Sequence, residues 1–76
     1  AWLGLHAVRH AQAALDGRVN AGPLAQHVSS ACGSTRDALQ AWCDRAGQFA
    51  YAQMARAVFQ HESADPAAAE LLTRAV

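Results

Sequence analysis

The chain has 76 residues, a length that permits one small domain spanning residues 1–76. Six arginines balance six acidic residues, so no basic patch is available to a nucleic-acid partner. No apolar run reaches about 18 residues, so no membrane span is expected. The absence of lysine and isoleucine is typical of GC-rich coding sequence and predicts a bacterial source.

Alanine accounts for twenty of the residues, and eighteen larger apolar residues remain. Alanine is the strongest helix former and adds little volume to a core. Every segment is therefore predicted to be helical, with helices that approach closely. A single core in a chain below about 80 residues rarely contributes more than about 3–5 kcal/mol. We therefore expect the isolated chain to be marginally stable and completed by a protein partner or a second copy.

The first two predicted helices are bounded by residues with strong terminal preferences. The first spans residues 1–16 and ends at Gly17, which suits the left-handed C-terminal cap. After a loop, Pro23 occupies the first position of the second helix, where its missing N–H would be unpaired anyway. Gly33 closes this second helix.

The longest predicted helix spans roughly residues 35–62, with Ser34 and Asp37 as a capping box at its start. At 100° per residue, one apolar stripe faces the core, and Trp42 is its central anchor. The stripe consists of Leu39, Trp42, Cys43, Ala46, Phe49, Ala50, Gln53 and Ala57. Gly47 costs about 1 kcal/mol relative to alanine in a helix, so a kink or split there is the alternative.

Asp65 and Pro66 predict the start of a last helix, as its N-cap and its first residue. Glu70 and Arg74 are expected to pair across one turn of this helix. The predicted fold class is all-α, a small Ala-rich helical bundle or helical-hairpin array of three main helices plus a short C-terminal helix.

His6 and His10 lie four residues apart on one predicted helix face, a spacing that can hold two metal ligands. Strong zinc signatures need a second close pair, which the sequence lacks, so we predict no metal and no cofactor. No cysteine or histidine comes with the other residues of a catalytic motif, and no enzymatic activity is predicted. A small metal- or redox-responsive protein using His6, His10 and a cysteine is kept as the alternative.

The two cysteines are eleven residues apart in sequence. Cys43 would lie about 13 Å along the axis of the long helix, whereas Cys32 lies at the turn before it. A disulfide needs Cα atoms within about 7 Å, so an intrachain bridge is disfavoured, and free thiols indicate a reducing, cytoplasmic setting. Cys43 is interpreted as a small core residue and Cys32 as the more exposed and reactive thiol.

The long helix also carries apolar residues outside its core stripe. The candidate partner-binding residues are Tyr51, Met54, Val58 and Phe59. A helix that is apolar nearly all round must be covered nearly all round, and what stays uncovered marks an interface. The sequence therefore predicts a non-enzymatic protein–protein interaction module, such as a small helical subunit, adaptor or chaperone-like partner, that binds through this face.

Overall fold

Five α-helices make up the regular structure of residues 2–75, the part of the chain that the computed structural model describes. They are α1 (Trp2–Leu15), α2 (Pro23–Cys32), α3 (Arg36–Arg45), α4 (Gln48–Gln60) and α5 (Pro66–Ala75). The predicted all-α class is confirmed, whereas the predicted arrangement of three main helices and a short one is wrong. None of the helices within these residues is long and apolar enough to cross a membrane.

The predicted helix over residues 35–62 is two helices, because it breaks at Ala46 and Gly47. Both residues have extended backbone conformations, and the N–H of Ala46 closes α3 on the carbonyl of Trp42. Gly47 then serves as the N-cap of α4. The predicted split is the alternative that the structure takes. The break gives α4 its own orientation and its own buried side.

The helix ends agree with the sequence prediction at the glycines and differ from it at α3. Gly17 and Gly33 both have positive φ, at 78° and 108°, as a left-handed cap requires. The N-cap of α3 is Thr35, whose hydroxyl accepts a hydrogen bond from the N–H of Ala38 at 3.1 Å. The capping box predicted from Ser34 is wrong, because Ser34 has a φ of 67° and lies in the turn outside the helix.

The core lies around α1, which packs against each of the other four helices and most extensively against α4 and α2. The buried residues of the core are small or medium in size: Ala7, Val8, Ala11, Leu24, Val28, Cys32, Leu39, Met54, Ala57, Val58, Ala68 and Leu71. Four of these twelve are alanines, which bury little apolar area each. Close helix approach therefore substitutes for large side chains.

At Gly4 the backbones of α1 and α4 approach each other closely. A Cβ built on Gly4 would lie 1.9 Å from the carbonyl oxygen of Tyr51, far inside van der Waals contact. The obstacle is backbone, which cannot rotate away as a side chain can. Gly4 thus sets the spacing of the largest helix pair in the protein.

Asp65 joins the N-termini of two helices through one buried carboxylate. The side chain is only 5% exposed. Its Oδ1 accepts from the N–H of Ala67 at 3.0 Å, as the predicted N-cap of α5, and its Oδ2 accepts from the N–H of Leu24 in α2 at 2.8 Å. Gly22, the N-cap of α2, has no side chain to cap that helix, and a Cβ on it would lie 2.9 Å from Oδ2.

We predict that Asp65→Ala lowers the free energy of unfolding by about 1–4 kcal/mol, because two caps worth roughly 0.5–2 kcal/mol each are lost together. Asp65→Asn keeps one acceptor oxygen, so its free energy of unfolding should lie between those of the parent protein and Asp65→Ala. Thr35→Ala is the matched control, since it removes one exposed cap and should cost about 1 kcal/mol. Urea denaturation followed by circular dichroism measures all three, and an Asp65→Ala cost no larger than that of Thr35→Ala would contradict the double cap.

We also predict that Gly4→Ala destabilises the fold by about 1–3 kcal/mol or more, because the added methyl group must push α1 and α4 apart. Gly47→Ala is the control, since no atom lies within 4 Å of a Cβ built there. Its effect should stay within about 1 kcal/mol. Thermal melts of the two variants compare them directly. Equal melting temperatures would show that the close contact does not set the helix spacing.

Candidate functional site

The four predicted partner-binding residues do not share one surface. Val58 is fully buried and Met54 is 7% exposed, so both belong to the core of the folded chain. Tyr51 is half-buried and packs edge-on against Trp42, with ring centroids 5.1 Å apart. Trp42 itself is a half-buried residue at the margin of the core. Of the four, Phe59 alone is exposed, at 61%.

A second exposed phenylalanine accompanies Phe59 on the solvent side of α4. Phe49, predicted to lie on the core stripe, is 77% exposed, and that prediction is wrong. The exposed face of α4 consists of Phe49, Ala52, Gln53, Arg56, Phe59 and Gln60. At 100° per residue these six positions form one arc about 120° wide, and the two rings are separated by about 15 Å along the axis.

Sequence reasoning missed Phe49 because it carried one helical phase through Gly47. A helix that starts afresh at Gln48 buries Met54 and Val58 on one side, and Phe49 projects from the opposite side. The signal was present in the chain. Gly47 marks the break, and the spacing of Met54 and Val58 indicates the inner face of the helix that follows.

The two cysteines are both free, and their predicted exposures are reversed. Cys32 is 6% exposed and belongs to the core, whereas Cys43 is partly exposed. Burial raises the pKa of the Cys32 thiol to about 11, and the nearby Cys43 raises it too. Because the thiolate is the reactive form, Cys32 is an inert core thiol, contrary to its predicted reactivity.

Tyr51 lies near Cys43 at the margin of the core. Burial raises the pKa of the Tyr51 hydroxyl, and the charge and hydrogen bond of Cys43 raise it further. The hydroxyl therefore stays neutral and can donate or accept a hydrogen bond. Tyr51 packs α4 against the end of α3 through its ring contact with Trp42.

The histidines separate into different environments. His27 Nδ1 and His61 Nε2 lie 3.1 Å apart and link α2 to the end of α4. His6 stacks on Trp2, with ring centroids 3.9 Å apart. Among residues 2–75, no group of three or more His, Cys, Asp or Glu side chains is arranged to hold a metal ion. The metal- or redox-responsive alternative built on His6 and His10 thus receives no added support.

An open cleft of about 510 Å³ lies between α1, the loop that follows it and α5, and we call it the α1–α5 cleft. His6, Arg9 and His10 line it from α1. Glu70, Leu71 and Arg74 line it from α5, and Val19 and Asn20 come from the loop. The cleft thus combines cationic, imidazole and apolar groups on three segments.

The charges in the α1–α5 cleft are predominantly positive. Burial and the charges of Arg9 and Arg74 lower the pKa of His6, so this ring is kept neutral. The predicted ion pair between Glu70 and Arg74 is not formed, because the two ion pairs among residues 2–75 join other arginines to Asp16. The Arg74 guanidinium lies 5.8 Å from the centre of the Trp2 ring instead.

The chain matches no protein-family model, and comparison with curated proteins and with solved structures gives no significant match. The role of each candidate surface is therefore inferred from its geometry and chemistry alone.

We predict that alkylation separates the two thiols. In the folded protein at mildly alkaline pH, iodoacetamide should modify Cys43 well before Cys32, because Cys32 is buried and its thiol ionises only near pH 11. Peptide mapping by mass spectrometry gives the two rates. The protein unfolded in urea is the control, in which both thiols should react. Equal rates in the folded protein would contradict the buried position of Cys32.

Proposed function

We propose that the chain is a non-enzymatic protein-interaction module that binds through the exposed face of α4, with a second copy of itself as the partner. The observation that carries the proposal is the pair of phenylalanines, 77% and 61% exposed, on one face of one helix. Aromatic residues are enriched at the centres of interfaces, where a few anchors provide most of the binding energy. Phe49 and Phe59 are the two anchors.

The composition of the exposed face of α4 supports a protein partner. Arg56 is its one charged residue, and Ala52 allows a neighbouring backbone to approach closely. The same face offers no acidic group and no cluster of nucleophiles. A surface of this kind can exclude water against another apolar helix, and it has no means to activate a substrate.

The order of residues along the face favours a second copy. A two-fold interface requires that residue i of one protomer contact residue j of the other, and j contact i. If two α4 helices cross antiparallel at the level of Met54, each Phe49 faces a Phe59 of the other copy. Arg56 of each protomer then faces Ala52 of the other, so the two Arg56 side chains do not face each other. The pattern is self-complementary about the middle of the helix.

The expected affinity follows from the size of the anchors. Burying four phenylalanines contributes about 6–12 kcal/mol at roughly 1.5–3 kcal/mol each. Association costs about 4–15 kcal/mol in lost translational and rotational freedom. The two terms are of similar size, so we expect a weak dimer, micromolar or weaker. A role as a small helical subunit, adaptor or chaperone-like partner fits such an affinity.

The proposed compartment is the reducing cytoplasm, and a bacterial source stays part of the proposal. Cys32 and Cys43 are both free, as thiols are in a reducing compartment. The buried Cys32 would not be available to an oxidising partner without local unfolding.

We predict that Phe49→Ser and Phe59→Ser each weaken self-association by about tenfold or more, because each removes an anchor worth roughly 1.5–3 kcal/mol. Both residues are exposed, so the melting temperature of the monomer should hardly change. Sedimentation equilibrium at micromolar to millimolar concentrations measures the association.

Tyr51→Ala and Gln40→Ser are the matched controls. Tyr51 packs on Trp42 at the margin of the core, outside the exposed face of α4, so its loss should lower stability and leave association unchanged. Gln40 is exposed on α3, so its replacement should change neither. A parent chain that remains monomeric at millimolar concentration would overturn self-association as the function of this face.

A further inference from the structure

The α1–α5 cleft is large enough for a small molecule and is distinct from the exposed face of α4. Its volume of about 510 Å³ lies within the roughly 300–1,000 Å³ that ligand pockets occupy. No residue of the exposed face of α4 lines it. What it binds can therefore be considered without reference to the proposed interface.

Two guanidinium groups give the cleft its charge preference. Arg9 lines it from α1 and Arg74 from α5, and both charges lower the pKa of His6, which lines the same cleft. Neither forms an ion pair with a carboxylate among residues 2–75. Glu70 is the one acidic residue in the lining, which leaves two cations against one anion. Unpaired guanidinium groups favour carboxylates and phosphates, which they can bind with two parallel hydrogen bonds.

The remaining lining favours an anion that carries an apolar body. Val19 is 42% exposed in the cleft wall, and Leu71, a core residue that is 8% exposed, borders that wall from α5. Apolar surface left open in this way is covered when a hydrophobic group enters. Inorganic phosphate would satisfy the arginines and leave this wall exposed.

His10, which lines the cleft, carries an unpaired polar atom. Its Nε2 is buried and has no hydrogen-bond partner among residues 2–75. Unpaired buried polar atoms are rare in folded proteins, and an absent water, ion or ligand group is one usual reason for them. The atom belongs to a residue that lines the cleft.

From these observations we propose that the α1–α5 cleft binds a small organic carboxylate. Arg9 and Arg74 hold the carboxylate group, and Val19 and Leu71 contact the apolar body. The ring of His6 also lines the cleft and offers a hydrogen-bonding group beside the cations. The site thus selects for the combination of charge and apolar surface.

The test is a titration followed by amide chemical shifts, with 2-naphthoate as the probe. We expect saturable shifts at residues of α1, α5 and the loop between α1 and α2. Arg9→Gln and Arg74→Gln should each weaken binding about tenfold, because each removes one charge-assisted interaction. Arg45→Gln, an equal change of charge on α3 outside the cleft, should leave the affinity unchanged. Thermal melts show whether each variant remains folded.

The neutral amide 2-naphthamide and inorganic phosphate separate the two parts of the proposal. Each should bind at least about tenfold more weakly than 2-naphthoate, since one lacks the charge and the other lacks the apolar body. Equal binding of the amide would overturn the anion site, and equal binding of phosphate would overturn the apolar wall. An absence of saturable shifts, or an Arg45→Gln effect as large as that of Arg9→Gln, would overturn the site altogether.

Discussion

The buried carboxylate of Asp65 is the constraint on which the arrangement of the helices depends. It accepts one hydrogen bond from the N–H of Ala67 at the start of α5 and one from the N–H of Leu24 at the start of α2. Leu24 is forty-one residues away from Asp65 in the sequence. Helix N-termini carry partial positive charge, so one carboxylate stabilises both. Gly22 leaves room for it. Because α2 and α5 both pack on α1, fixing their N-termini also fixes the walls around α1.

Close approach around α1 completes the fold and explains why so much apolar surface remains outside. Gly4 brings α1 against the backbone of α4, and Ala7, Ala11 and Ala57 fill the space that is left. A core built from such small groups is thin and encloses few side chains. Phe49 and Phe59 are not part of this core and lie exposed on the opposite side of α4.

The two candidate surfaces differ in chemistry as well as in position. The exposed face of α4 is convex and aromatic and has one charge, which suits another helix. The α1–α5 cleft is concave, with Arg9 and Arg74 beside an apolar wall, which suits a small anion.

The sequence by itself determined the helices and most of their ends, because these depend on local chemistry. Alanine content, the glycines at 17 and 33, Pro23 and the Asp65–Pro66 pair each act within one turn of the chain, and all are found as predicted. Tertiary structure decided the rest. The helix breaks at Gly47, Phe49 lies outside, and Met54 and Val58 lie inside. The second hydrogen bond of Asp65, the burial of Cys32 and the convergence of Arg9 with Arg74 all join distant segments, and no local pattern in the chain encodes such distances.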